Sequence, residues 1–261
     1  MAKKALCIGI NDYPGTDSDL AGCVNDAHDW SEALDTRGFE VSSLLNDGAT
    51  KASMTEALQT LISGADPGDT IVITFSGHGT WVPDHSEDEP DGRDEGLCPY
   101  DIATNGPLLD DEIHDTFSER ARGVRILLLS DSCHSGSVTR GDESDLDPNL
   151  PRARFLPLFA WLSGSRMPDS TGRPPNLHNG MARTGGDLLL SGCKDMEYSW
   201  DTRFRGRPNG AFTYYALKTL KDNLTYEQWF ARIRGYLPST RLPQSPQILG
   251  SSKVRRSRVF D

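Results

Sequence analysis

The stretch Val124-Arg-Ile-Leu-Leu-Leu-Ser-Asp-Ser-Cys-His-Ser-Gly136 decides the reading of this chain. It is an apolar run that stops abruptly at a cysteine set among aspartate, histidine, serine and glycine. A short, continuously apolar run bounded by turn residues is the pattern of a strand buried on both faces. Other runs of the same kind are 4–10 (KALCIGI), 40–45 (EVSSLL), 69–79 (DTIVITFSGHG), 187–193 (DLLLSGC) and, near the end, 246–250 (PQILG). Between them lie helical spacings at 25–38, 50–64, 109–121, 211–220 and 225–237. Thr50 is a plausible N-cap and Gly64 a plausible stop for the second of these. Buried strands alternating with helices predict an α/β fold. Its central sheet is mostly parallel, has about six strands and carries helices on both faces.

In such sheets, sites form beyond the carboxyl ends of the strands. Two motifs fall there: Ser76-Gly-His-Gly79 and Ser130-Asp-Ser-Cys-His-Ser-Gly136. A thiolate beside an imidazole makes a nucleophile, and the imidazole can later protonate a leaving amine. Gly77 and Gly79 let backbone N–H groups approach a carbonyl oxygen, as an oxyanion hole requires. Taken singly, each motif is equally well explained by a buried cysteine or an unrelated glycine-flanked histidine. Together, at equivalent strand ends, they favour a dyad of His78 and Cys133. His134 is a weaker rival base, because adjacent residues of an extended segment point apart. His28, His85, His114 and His178 lack glycine-rich surroundings and read as surface or helix-face residues.

Composition narrows the class. The 261 residues carry a net charge of −11, which argues against general nucleic-acid binding. No stretch is long and apolar enough to cross a membrane, and the lysines at positions 3 and 4 precede too short a run for a signal segment, so a cytosolic protein is expected. Five widely spaced cysteines without a CxxC pair argue against a disulfide framework or a zinc site. The acidic run 84–95 and the basic run 253–260 read as solvated surface on charge alone. Residues 139–186, rich in Pro, Arg, Ser, Gly and Asp, read as a long connection between a first half (1–138) and a second half (187–261) of one catalytic domain.

SGHG and DSCHSG, with GCVNDA (22–27) upstream and LLLSGC…GAFTYYAL downstream, resemble the metacaspases, and more narrowly their short prokaryotic forms without a prodomain. The resemblance runs from Ala5 to about Ser252. The Q-A-C-x-G signature of true caspases is absent. The resemblance implies a caspase-like fold and a cysteine endopeptidase with Cys133 as nucleophile and His78 as base. It places Gly79 and the Cys133 N–H at the oxyanion. It implies cleavage after Arg or Lys, with Asp26, Asp131, Cys23 and Ser76 lining the primary pocket.

Two carboxylates suit a guanidinium, although spacing alone reads Asp26 as a helix-start residue facing the dipole. The resemblance also implies calcium, with Asp94, Asp110 and Asp111 as ligands. Arg140 stands where a fourth acid is expected, and Asp142 or Asp145 would serve only with a shifted loop. A monomer acting on protein or peptide substrates is implied as well. Self-cleavage in the connection is a further implication, and the sequence does not choose among Arg140, Arg152, Arg154, Arg166, Arg173 and Arg183. A catalytically silent module, or a peptidase specific for Asp, is the alternative. Retention of both His78 and Cys133 disfavours the first, and the acidic pocket positions disfavour the second.

Overall fold

A computed structural model describes residues 1–83, 93–133, 150–162, 188–194 and 197–261. In chain order the first half holds β1 (Lys3–Gly9), α1 (Cys23–Asp35), β2 (Glu40–Leu45), α2 (Lys51–Ser63) and β3 (Thr70–Ser76). It continues with β4 (Gly79–Pro83), β5 (Arg93–Leu97), α3 (Ile102–Asn105), β6 (Leu108–Leu109), α4 (Asp110–Ser118) and β7 (Arg125–Asp131). Then come β8 (Arg152–Ala153), α5 (Leu158–Trp161), β9 (Leu188–Ser191), β10 (Trp200–Phe204) and β11 (Arg207–Gly210). The chain closes with α6 (Ala211–Thr219), α7 (Tyr226–Arg234), β12 (Gln247–Gly250) and α8 (Ser252–Arg255).

The main sheet has six strands in the order β12-β9-β7-β3-β1-β2. All neighbours are parallel except β12, which runs antiparallel to β9. Every residue of β3 is buried, because both faces of the sheet are covered. Alternate residues feed the two cores, as the period of two requires. Leu6, Ile8, Ile73, Phe75 and Leu128 meet Met54, Leu58 and Ile62 of α2 and Ile113 and Phe117 of α4. Cys7, Val72, Leu127, Leu129 and Leu190 meet Trp30 and Leu34 of α1, Phe212 of α6 and Trp229 of α7. The Trp229 indole donates to the Ala216 carbonyl at 2.9 Å, tying α7 to α6. Thr50 caps α2 by accepting from the Ser53 N–H.

The expected α/β fold with a mostly parallel six-stranded sheet is thus the observed one. Two small antiparallel sheets, β4-β5-β6 and β11-β10-β8, stand beyond it. The first begins with β4 at the end of Ser76-Gly-His-Gly79, and the chain patterns did not announce either. Leu129→Ala, at a position 1% exposed, should lower the unfolding free energy by about 2–5 kcal/mol in urea titration. Glu40→Ala on the exposed edge strand should stay within about 0.5 kcal/mol of wild type.

Candidate active site

Strands β3 and β7 are parallel neighbours, and their last residues, Ser76 and Asp131, are partners across the ladder. His78 and Cys133 each lie two residues beyond, so the sheet delivers both to the same rim. Gly77 is needed there because a Cβ would stand 2.6 Å from the Tyr13 hydroxyl oxygen. That hydroxyl accepts the His78 backbone N–H at 2.8 Å, and the Tyr13 ring lies 4.8 Å from the imidazole. The His78 Nε2 is 2.6 Å from the Ser18 carbonyl. A carbonyl only accepts, so Nε2 carries the proton and Nδ1 holds the free lone pair. Nδ1 is buried and makes no hydrogen bond among the described residues. Burial pushes the imidazole pKa down to about 4, against the pull of the Ser18 and Arg154 carbonyls towards the charged ring. At neutral pH the ring is therefore uncharged.

Cys133 is fully buried, and its sulfur receives the Ser199 N–H at 2.5 Å. Its own N–H donates to the Arg154 carbonyl at 3.1 Å, and the Gly79 N–H donates to the same oxygen at 3.0 Å. The two N–H groups expected to hold an oxyanion thus converge on one carbonyl, which the chain itself supplies. The peptide around that carbonyl is extended. Trp200 and Asp201 of β10 pair antiparallel with Ala153 and Arg152 of β8. Arg154 N–H donates to Ser199 O at 2.9 Å, and Leu156 N–H to Gly79 O at 2.9 Å.

The Arg154 side chain is 0% exposed and points into an acidic pocket. Its Nη2 lies 2.7 Å from Asp26 Oδ2 and 3.2 Å from Asp201 Oδ2, and its Nη1 lies 3.3 Å from Asp131 Oδ2. Nη1 also donates to the Asp131 carbonyl at 3.0 Å. Each carboxylate is itself held. Asp26 accepts from Asn209 Nδ2 and the Gly210 N–H, Asp131 from the Ser199 hydroxyl and the Thr213 N–H, and Asp201 from the Gly22 N–H. Burial pushes the Asp26 carboxyl up to about 7, although the Arg154 charge opposes it.

Of the four pocket residues expected from sequence, Asp26 and Asp131 touch the guanidinium. Cys23 reaches the cluster through its thiol, 3.8 Å from Asp201 Oδ2. Ser76 is buried beside Asp131 in the ladder. Asp201 was not anticipated, and neither were Tyr13, Ser18 and Ser199. They come from segments without periodic signal and reach the site only through tertiary contacts.

Asp94 lies on β5, two residues before Gly96, whose partner is Leu109, and Asp110 and Asp111 open α4 directly after it. One end of the small sheet therefore gathers all three acids, and Asp94 and Asp110 are buried. Their oxygens are of the class calcium prefers. Among the described residues, however, no group of three or more acids, histidines or cysteines is placed to hold a metal ion. Asp94, Asp110 and Asp111 therefore offer part of a hard-oxygen donor set, and no catalytic step is assigned to a metal there. Asp142, Asp145, Arg140 and His134 lie outside the described residues, as do His85, His178, Arg166, Arg173 and Arg183. No helix among the described residues is long and apolar enough to cross a membrane.

The metacaspase, peptidase C14 domain family model matches residues 3–141, the half that carries both His78 and Cys133. The chain belongs to the metacaspase family. It is 33% identical to Metacaspase-1A of Neurospora crassa across 99% of this chain and 64% of that protein. It is also 33% identical to Metacaspase-1B of Aspergillus terreus, of which it covers 77%. The chain thus spans a little under two thirds of the Neurospora relative. A crystal structure of a Geobacter sulfurreducens protein superposes with a TM-score of 0.77 at 29% identity, covering 100% of this chain and 98% of that one. The two chains therefore share one fold over the whole described sheet.

Gly210 closes the pocket in this metacaspase: a Cβ there would run into Asp131 Oδ2 and Arg154 Nη1. Gly210→Ala should leave the far-ultraviolet circular dichroism intact. It should cost at least about 100-fold in hydrolysis of any arginine substrate, since about 2.7 kcal/mol is within reach of one lost charge-assisted contact plus overpacking. Unchanged hydrolysis would remove these three carboxylates from the primary pocket.

Proposed function

We propose that this metacaspase is a cysteine endopeptidase that cleaves after arginine and, more weakly, after lysine. One observation carries the reading: a guanidinium sits among three buried carboxylates while the carbonyl of the same residue meets the N–H groups of Cys133 and Gly79. In this reading His78 Nδ1 takes the Cys133 proton and the thiolate attacks the carbonyl. The two N–H groups stabilise the oxyanion, and His78 returns the proton to the leaving amine. Water then hydrolyses the thioester. The Ser18 carbonyl holds the imidazole in the required tautomer, a positioning part.

Arginine is favoured over lysine because two guanidinium nitrogens reach three separate carboxylates, whereas an ammonium is one point of charge. Burial of negative charge excludes an aspartate at the same place. Self-processing of the connection and a monomeric, cytosolic state belong to the same proposal. Calcium stimulation is a separate one, carried only by the acidic donor set of Asp94, Asp110 and Asp111.

Matched fluorogenic peptides ending in Arg, Lys or Asp give the test. Arg should exceed Lys by about tenfold, the worth of roughly 1.4 kcal/mol, and the Asp peptide should be inert. Cys133→Ala and His78→Ala should abolish turnover. Because the Asp26 pKa is raised to about 7, the pocket loses a negative charge as pH falls through that value. That value holds with a guanidinium seated, whose charge opposes the rise, so the empty pocket titrates higher; KM for the Arg peptide should therefore rise as pH falls towards about 7, and Asp26→Asn should flatten that limb. Calcium should raise the rate and chelator lower it; a rate indifferent to both would dismiss the calcium proposal alone. Hydrolysis confined to the Asp peptide would overturn the specificity.

A further inference from the structure

We infer that Gln244 is a positioning residue of the proteolytic reaction. It fixes Ser199, whose backbone touches the Cys133 sulfur and whose side chain holds the Asp131 carboxylate. This role rests on the peptidase reading above and names the support that nucleophile and pocket share.

Ser199 meets both parts of the site. Its N–H donates to Cys133 Sγ at 2.5 Å, and its carbonyl accepts the Arg154 N–H at 2.9 Å. Its hydroxyl donates to Asp131 Oδ1 at 2.5 Å, while the other oxygen of that carboxylate faces the guanidinium. Ser199 is fully buried, and it stands just before β10 in neither helix nor strand. Its placement therefore depends on what surrounds it.

Gln244 supplies that surrounding. It is 0% exposed and lies on the approach to β12, a stretch without regular structure. Its Nε2 donates to Ser199 Oγ at 3.1 Å and to the Gly192 carbonyl at 2.9 Å. Its Oε1 accepts the Trp200 N–H at 3.1 Å. One primary amide offers two donors and an acceptor in a plane, and all are used here. The end of β9, the start of β10 and the approach to β12 are thus tied at one side chain.

The direction of these bonds matters. Because Ser199 Oγ accepts from the amide, its single proton is left to point at Asp131. The chain from Gln244 through Ser199 to Asp131 is one in which each donor polarises the next. Gly192 keeps the space this needs, since a Cβ there would stand 2.6 Å from Ser199 Oγ and 3.2 Å from Asp131 Oδ1. Without the amide donor the hydroxyl is free to turn, and Asp131 loses its aim at one nitrogen of a guanidinium. Lysine, a single point of charge, depends less on that aim. The backbone N–H that meets the sulfur is loosened with it.

The test compares purified full chains of wild type, Gln244→Met, Gln244→Glu, Ser199→Ala and the Gln244→Met, Ser199→Ala double variant. Methionine keeps the bulk and removes all three bonds. Glutamate keeps the acceptor for Trp200 and puts an oxygen where the donors were. Matched Arg and Lys peptides give kcat and KM, and their ratio does not depend on how much of the protein is folded. Both Gln244 variants should lower kcat/KM for the Arg peptide by at least about tenfold, with kcat and KM both affected. The Arg-to-Lys ratio should fall at least about threefold in each. Added to Ser199→Ala, Gln244→Met should not lower that ratio further, because the amide reaches Asp131 only through the hydroxyl.

An unchanged ratio in both Gln244 variants, whatever their unfolding temperature, would overturn the positioning role while leaving the peptidase reading intact. A further fall of the ratio in the double variant would overturn the path through Ser199. A wild-type chain that hydrolyses neither peptide would remove the peptidase reading and this role with it.

Discussion

Everything at the rim of this sheet is organised around one guanidinium among three buried carboxylates. Asp26, Asp131 and Asp201 are each at most 4% exposed, and one arginine answers all three. Taking charges out of water is costly, and mutual attraction repays it only with good geometry and further hydrogen bonds. Those bonds are present, supplied by the backbone of Gly22, Gly210 and Thr213 and by the side chains of Asn209 and Ser199. Even so, the cluster keeps an excess of negative charge, which burial expresses by raising the Asp26 pKa. A pocket built this way is poorly suited to stand without a cation. That requirement explains why the chain's own arginine fills it.

The fold makes the arrangement possible by simple geometry. Parallel neighbours β3 and β7 end in register, so whatever follows them meets at the same edge. The chain uses that edge for an imidazole and a thiol, and lets β10 supply the ladder on which an extended peptide can lie. Recognition then needs only main-chain hydrogen bonds for placement and one pocket for selectivity, the economy common to strand addition. Because Gly79 both follows the base and donates to the carbonyl, a shift of β4 would disturb the peptide and the oxyanion site together.

Much of this was legible in the chain. The six sheet strands read clearly because burial on both faces makes them apolar throughout, as in TIVITFS (70–76). His78 and Cys133 read clearly because glycines and polar residues break those runs abruptly. Asp26 did not announce itself by spacing, which fits a helix start equally well; only the family pattern singled it out. Asp201 was invisible for a deeper reason. It sits on a short antiparallel strand, and its role exists only once Gly22 and Arg154, both far away in sequence, are beside it. The strand Arg93–Leu97, mostly polar, was hidden in an acidic run because its pairing with β4 decides its shape. Arg154 was one of six candidate arginines, and among the described residues tertiary contact separated it from Arg152.

The central claim is that nucleophile, oxyanion donors and acidic pocket form one site. Treating the protein with two peptidyl electrophiles that differ only in ending with Arg or Asp, then locating the adduct by peptide mass spectrometry, tests it most directly. The account predicts a single adduct on Cys133 from the Arg reagent, its formation slowed by excess of an Arg peptide, and no adduct from the Asp reagent. Equal labelling by both reagents, or labelling of another cysteine in place of Cys133, would contradict it.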